Sequence, residues 1–142
     1  MPSESGHGTR TLAARLGPGQ DLRGGLLELA ARGRPWRAGW VATCVGSLSR
    51  VELRLAGRSG PTVLEGRFEI VALVGTLSPD GAHLHLAVAD EDGRTAGGHL
   101  RAGCLVRTTA EVVLTVTDEL AFGRVHDPAT GYDELTVDGP TA

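Results

Sequence analysis

The chain has 142 residues, of which 41% are hydrophobic, and it carries a net charge of −3. This length suffices for one ordinary hydrophobic core, and no apolar run approaches the roughly 18 residues needed to cross a bilayer. All fourteen basic residues are arginines and seventeen residues are acidic, so the composition counts against tight DNA binding through overall charge.

The N-terminal part of the sequence predicts a leader, a strand and a helix. Residues 1–9 are small and polar, without the apolar segment of a secretory signal, so we expect a disordered leader and a cytoplasmic protein. Residues 11–16 predict a short strand, and Asp21 is placed to cap a helix that Gly33 and Pro35 end. The apolar face of this helix recurs at i, i+4, i+7 and i+8, as Leu22, Leu26, Leu29 and Ala30.

The remainder of the chain is typical of β-structure. Strands are predicted at residues 38–45, 48–55, 63–64, 67–77, 82–88, 105–116 and 132–137. Residues 90–93 predict a hairpin turn, and His126 is expected in a turn beside Asp127. The run Ile70, Val71, Leu73 and Val74 is predicted to be buried on both faces. One helix among many strands predicts a single α+β domain, with an antiparallel or mixed sheet, over residues 10–137 and a tail at 138–142.

Two cysteines stand far apart in apolar surroundings. Cys44 and Cys104 do not form a CxxC pair, so we expect buried free thiols rather than a disulfide or a zinc knuckle.

Three of the five histidines fall within seventeen positions, and they are the best candidates for chemistry. His83 and His85 alternate across a leucine, and side chains at i and i+2 of a strand leave the same face about 6.6 Å apart. His99 follows two glycines that permit close backbone approach. The three imidazoles predict a divalent metal site, with zinc as the expected ion. The alternative is that each histidine is a polar residue in its own environment on a strand or an interface.

Glu111 is a candidate for catalysis if such a metal keeps an open position. A carboxylate there would orient a water as general base. The alternative, which we favour, is an ordinary carboxylate on a strand or at an interface.

Residues 32–35 spell Arg-Gly-Arg-Pro, the core of an AT-hook. In an extended segment, Arg32 and Arg34 would enter a narrow A·T minor groove. Here they lie between the predicted helix and the next strand, and an arginine in the last turn followed by glycine is what a helix C-terminus prefers. We therefore favour a helix end, with Arg32 and Arg34 kept as weak DNA candidates.

An ordered set of motifs extends over about residues 10–136. In chain order these are LGPGQDL at 16–22, GWV at 39–41, GSLS at 46–49, GRFEI at 66–70, GTLS at 75–78, HLH at 83–85, GGHL at 97–100 and TTAEV at 108–112. Together they resemble the plant and prokaryote conserved (PPC) domain family.

The resemblance implies a compact α+β fold that assembles as a homotrimer. In the plant members, this domain follows separate AT-hook segments, and the segment that corresponds here to Gly66, Arg67, Phe68, Glu69 and Ile70 is tied to partner interactions. Stand-alone prokaryotic members generally carry a DNA-binding label, which rests on analogy of fold. From the residues alone, Arg67 and Glu69 share one face of a strand, and an ion network across strands or subunits would suit them.

Two functions remain open at this point. The first is a non-enzymatic homotrimeric module that contacts DNA or a protein in regulation and holds a divalent metal at the three histidines. The alternative is a small metal-dependent enzyme, or a small-ligand sensor, that uses the same histidines at a subunit interface.

Overall fold

The computed structural model describes residues 8–139, so most of the expected leader (1–9) and tail (138–142) lies outside the described residues. Within that part of the chain there are one helix and eight strands. In order they are β1 (Thr9–Leu16), α1 (Leu22–Arg32), β2 (Ala38–Arg54), β3 (Thr62–Ser78), β4 (Gly81–Ala89), β5 (Thr95–Leu100), β6 (Leu105–Thr117), β7 (Ala121–Asp127) and β8 (Tyr132–Asp138).

The strands form an antiparallel six-stranded sheet and a separate hairpin. The sheet order is β1-β6-β2-β3-β4-β5, and β7 pairs with β8. The free edge of β5 also pairs with the end of β2, through Leu53 with Leu100 and Arg54 with His99. Strands β2 to β5 therefore close on one another as a small barrel, which the inward-facing leucines and valines of these strands fill. The predicted single α+β domain with a mostly antiparallel sheet and one helix is confirmed.

The helix forms as the sequence predicts. The Asp21 carboxylate accepts a hydrogen bond from the Gly24 amide at 2.7 Å, and the Gly33 amide donates back to the Ala30 carbonyl. Leu22 and Leu26 are fully buried. Packing explains the glycine at position 25, because a Cβ there would lie 2.6 Å from the Leu16 side chain of β1. The absent side chain thus lets the helix pack closely against the sheet. At 11 residues the helix is too short to cross a membrane.

Two pairs of predicted strands are in fact single long strands. The predicted break at residues 46–47 lies within β2, where the register shifts as a bulge, and 63–64 joins 67–77 in β3. The prediction that residues 70–74 are buried on both faces is wrong. Val71 and Val74 are 59% and 54% exposed, while Ile70 and Leu73 face the core. A bulge between Ile70 and Ala72 leaves Val71 out of the ladder, and the outer face of the sheet carries no covering helix there in residues 8–139.

Two strands are absent from the sequence prediction. β5 contains two adjacent glycines and β7 one, and glycine weakens the strand signal. His126 consequently lies in β7 rather than in a turn. It pairs with Asp133 of β8, with 3.6 Å between the His126 Nδ1 and the Asp133 carboxylate.

Both cysteines are free and buried, as predicted. Burial, with a smaller contribution from the Glu111 carboxylate, raises the pKa of Cys44 to about 11. Burial also raises the pKa of Cys104, whose Sγ accepts a hydrogen bond from the Glu52 amide.

We expect neither thiol to react with a disulfide reagent in the folded protein. At about pH 8 a thiol with a raised pKa has little thiolate, and the thiolate is the nucleophile. The measurement is release of thionitrobenzoate from Ellman's reagent, with and without denaturant. Two equivalents should appear only after unfolding, and fast release from the native chain would contradict the buried assignment.

Candidate metal centre

The three predicted histidines meet on the outer face of the barrel. In β4, His83 and His85 are exposed and alternate with Leu84 and Leu86, which point into the core. In β5, His99 lies directly opposite His85 in the antiparallel register. Residues directly opposite in such a ladder project from the same face, so the three imidazoles share one patch.

One pair of imidazole nitrogens already has the separation that a metal site needs, and the third ring lies nearby. The Nε2 atoms of His83 and His85 are 3.2 Å apart, and one nitrogen from each of the three rings can be chosen so that no pair exceeds 4.8 Å. Histidine nitrogens at about 2.0–2.1 Å from a tetrahedral zinc ion lie about 3.3 Å from one another. The His83–His85 pair already matches that spacing, and a shared ion would require the His99 nitrogen to come closer to the other two.

Two glycines allow the strands to come this close. Gly75 of β3 lies opposite Leu84, and a Cβ on Gly75 would overlap the His83 carbonyl oxygen. A Cβ on Gly98 would lie 2.7 Å from the Arg54 carbonyl oxygen of β2. Because Gly75 and Gly98 have no side chains, β3 can approach β4 next to His83, and β5 can pair with β2 next to His99.

The surroundings favour neutral imidazoles. Burial is the main cause of the lowered pKa of His83, and the charges of His85, Arg124 and Arg54 lower it further. The Glu134 carboxylate acts in the opposite direction and raises the pKa of His83. Burial, Arg54 and the other two histidines lower the pKa of His99 in the same way. A neutral imidazole is the form that binds a metal, so near neutral pH these two rings are ready to coordinate.

The histidines line a cavity of about 620 Å³. Its other walls come from the end of β2 with the following loop, and from the β7–β8 hairpin. The side chains that matter for chemistry there are Arg54, Arg124, Tyr132, Asp133 and Glu134. The hairpin is fastened to the sheet, because Arg124 donates to the Thr76 hydroxyl at 3.1 Å and the Phe122 amide donates to the Arg37 carbonyl.

Glu111 is not among the side chains that line this cavity. It is exposed on β6, opposite Arg15 and Val45. Within the chain, the fold therefore does not bring Glu111 to the histidines as a general base. The carboxylate whose charge reaches His83 is that of Glu134. The sequence did not connect Glu134 with the histidines because the return of β8 to the cavity is a long-range feature.

The Arg-Gly-Arg-Pro segment is a folded helix end. Arg32 in the last turn of α1 pairs with Glu28 at 2.6 Å, and Gly33 caps the helix. The Arg34 guanidinium lies 5.1 Å from the Trp36 ring centre and reaches the Pro79 carbonyl at 3.5 Å. Both arginines thus have contacts within the domain, as expected for a helix end.

The segment from Gly66 to Ile70 lies on β3 and is divided between two faces. Arg67 and Glu69 are exposed on the same side, as the period of two predicts, and Gly66 is also exposed. Phe68 and Ile70 point into the core. Of the five predicted partner residues, only Gly66, Arg67 and Glu69 therefore present exposed surface.

The fold and the cluster define a small α+β domain with a histidine-lined cavity on its barrel. The chain belongs to the Plants and Prokaryotes Conserved (PCC) domain family, whose model matches residues 3–118. The family resemblance in the sequence motifs is thereby confirmed.

Among known proteins, the chain is 56% identical over 129 residues to the bifunctional protein GlmU of Synechococcus sp. (strain JA-3-3Ab). This match covers 91% of the chain but only 21% of that relative, so the chain spans about a fifth of its length. The chain is also 31% identical over 136 residues to AT-hook motif nuclear-localized protein 1 of Arabidopsis thaliana, covering 87% of the chain and 37% of the relative.

Solved structures share the fold. A hypothetical protein from Salmonella superposes with a TM-score of 0.88 at 44% identity, covering 94% of this chain and 96% of that one. A metal-containing protein from Archaeoglobus fulgidus gives a TM-score of 0.73 at 24% identity, covering 89% and 93%.

We predict that Gly75→Ala disrupts the site. The new Cβ would overlap the His83 carbonyl, and the φ of +149° at this position is unfavourable for alanine, so the variant should lose about 2 kcal/mol or more of unfolding free energy. The measurement is urea unfolding followed by circular dichroism. Gly60→Ala is the matched control, since a Cβ at that position would meet no other atom within 4 Å. Equal stability of the two variants would contradict the close-approach account.

Proposed function

We propose that His83, His85 and His99 hold one divalent metal ion, zinc, with coordination open toward the cavity. The observation that carries the proposal is the meeting of three imidazoles, with donor nitrogens within 4.8 Å, on the wall of a 620 Å³ space. Three histidines with a free position are a common arrangement for an exchangeable or reactive zinc site. The description of the Archaeoglobus structure as metal-containing agrees with this proposal.

In this proposal the chain works as a metal-binding interaction module in regulation, and it assembles as a homotrimer. Support for self-association comes from apolar residues on the outer face of the sheet. Val45 of β2 is 56% exposed, and Val71 and Val74 of β3 add to it. Exposed valines on neighbouring strands are typical of a surface that a partner covers. Arg67 and Glu69, exposed farther along β3, supply charges to the rim of such a contact.

A metal-dependent enzyme is the second candidate. The observation that favours it is the Glu134 carboxylate, whose charge acts on His83. A carboxylate beside an open metal position is placed to accept a proton from water. Loss of hydrolytic turnover in Glu134→Gln, with unchanged metal content, would support this candidate over a binding module.

DNA binding is a third candidate. It depends on two solved structures of this fold, from Bacteroides thetaiotaomicron and Ralstonia eutropha, that are described as putative DNA-binding proteins. The net charge of −3 and the engagement of Arg32 and Arg34 within the domain count against it. Binding of this kind would give a gel shift with an A·T-rich duplex that weakens as salt rises. Absence of a shift at low salt would exclude it.

The double variant His83→Ala/His85→Ala tests the metal site. We expect the wild-type chain to take up one zinc ion per chain and the variant none, since one imidazole remains. Zinc at 100 times its Kd should stabilise the wild type by about 2.7 kcal/mol and leave the variant unchanged. The measurements are metal analysis after gel filtration and thermal unfolding with and without zinc.

The matched control is His126→Ala, because His126 pairs with Asp133 on the hairpin and does not belong to the cluster. This control should keep its zinc. Retained zinc in the double variant would remove the three-histidine site from consideration.

The homotrimer has its own test. Sedimentation equilibrium of the wild type should give three times the chain mass of 14.7 kDa. Val71→Arg should shift the protein to monomer, because a charge is costly to bury in an apolar contact. Val125→Arg, at an exposed valine of the hairpin, is the control that should stay trimeric. A wild-type chain that sediments as a monomer would refute the assembly.

A further inference from the structure

Two arginines stand beside the histidine cluster, one on β2 and one on the β7–β8 hairpin. Arg54 is the direct partner of His99 in the β2–β5 ladder. Arg124 donates to the Thr76 hydroxyl, and Thr76 is the direct partner of His83 in the β3–β4 ladder. Both guanidinium groups line the cavity, and the charges of both reach His83. The cluster is therefore flanked on two sides by positive charge.

Neither arginine has an acidic partner within the part of the chain that the structure describes. Among those residues, Arg54 donates to the Arg58 carbonyl, at 3.4 Å, and Arg124 to the Thr76 hydroxyl. An arginine has five N–H donors, so each group retains unused donors near the cavity. Arginine is the side chain best suited to hold a carboxylate or phosphate through two parallel hydrogen bonds.

The charge of the cavity depends on the metal. Its wall carries two arginines and the two carboxylates Asp133 and Glu134, which balance while the histidines are neutral. A divalent ion at the histidines would make the cavity positive by two charges. Electrostatics in a partly enclosed site would then favour an anion on the open side of the metal.

The size and lining of the cavity indicate more than an inorganic ion. About 620 Å³ is the volume of a typical small-molecule site. Ala56, Ala82 and Tyr132 are among its lining residues, and Tyr132 is 65% exposed. A ligand with an apolar body would cover this ring and gain free energy from its burial.

We propose that the metal-loaded cavity binds a small organic carboxylate, whose carboxylate group meets the metal, Arg54 and Arg124 while its apolar body packs on Tyr132. This inference rests on the metal site proposed above. It assigns the β7–β8 hairpin a role in ligand recognition, since Arg124 and Tyr132 both come from it.

The experiment uses the full chain loaded with Co²⁺, whose visible spectrum reports its coordination, and benzoate as the probe. We expect a saturable spectral change with benzoate and none with benzamide, which has the same shape without the charge. Arg54→Gln and Arg124→Gln should each weaken benzoate binding about tenfold or more, since each removes a charge-assisted hydrogen bond. Arg94→Gln, in the turn at the far end of the β4–β5 hairpin, is the control and should bind like the wild type.

The proposed contact between the apolar body of the ligand and Tyr132 is tested by a separate experiment. Tyr132→Ala should weaken benzoate but leave acetate, which has almost no apolar body, unchanged. Equal loss for the two ligands would overturn the contact with the ring.

The remaining outcomes separate this proposal from the metal site itself. Cobalt uptake is measured first, and a chain that takes up no cobalt or zinc would refute the metal site and this inference together. Cobalt uptake without a response to benzoate would refute the carboxylate alone. A spectral change with inorganic phosphate but not with benzoate would overturn the assignment to carboxylates. Unchanged cobalt content in Arg54→Gln and Arg124→Gln checks that these variants still fold and bind metal.

Discussion

Closure of β5 onto β2 is the constraint on which the site depends. Only when the edge strand of the sheet pairs back through Leu53 with Leu100 does the barrel close. That closure fixes His99 between Arg54 on one side and His85 on the other. Since backbone hydrogen bonds join β5 to both β2 and β4, the backbone of His99 is held beside His85. Gly98 makes the closure possible because any side chain there would press on the Arg54 carbonyl.

The sequence predicted the parts of the site that depend on local periodicity. Alternation around Leu84 placed His83 and His85 on one face, and the predicted turn at residues 90–93 is present. The strand β5, which brings His99 opposite His85, was not predicted. The identity of the helix, its Asp21 cap and its end at Gly33 followed from equally local signals. Each of these features involves residues close in the chain, where the geometry of one strand, hairpin or helix turn decides the outcome.

Features that depend on contacts between residues distant in the chain could not be predicted from local sequence patterns. The burial of residues 70–74 was mispredicted because a bulge re-aims Val71, and a bulge has no apolar period to reveal it. Glu111 was considered as a general base for an open metal position, yet β6 carries it to the neighbours Arg15 and Val45. Glu134 and Arg124 were missed because only the docking of the hairpin brings them to the cavity.

The cavity is lined by the barrel and by the β7–β8 hairpin, and the family model matches only the barrel part. The histidines, Gly75, Gly98 and Arg54 all lie within residues 3–118, which the family model matches. The hairpin of β7 and β8 begins at Ala121, beyond that match, yet it supplies Arg124, Tyr132 and Glu134 to the wall. A barrel that presents three imidazoles is thus completed by a segment that contributes no residue to the hydrophobic core of the described chain. Because the hairpin lies outside that core, substitutions in it would alter the cavity wall with little effect on the packing of the barrel, and a ligand of the proposed kind would be discriminated there.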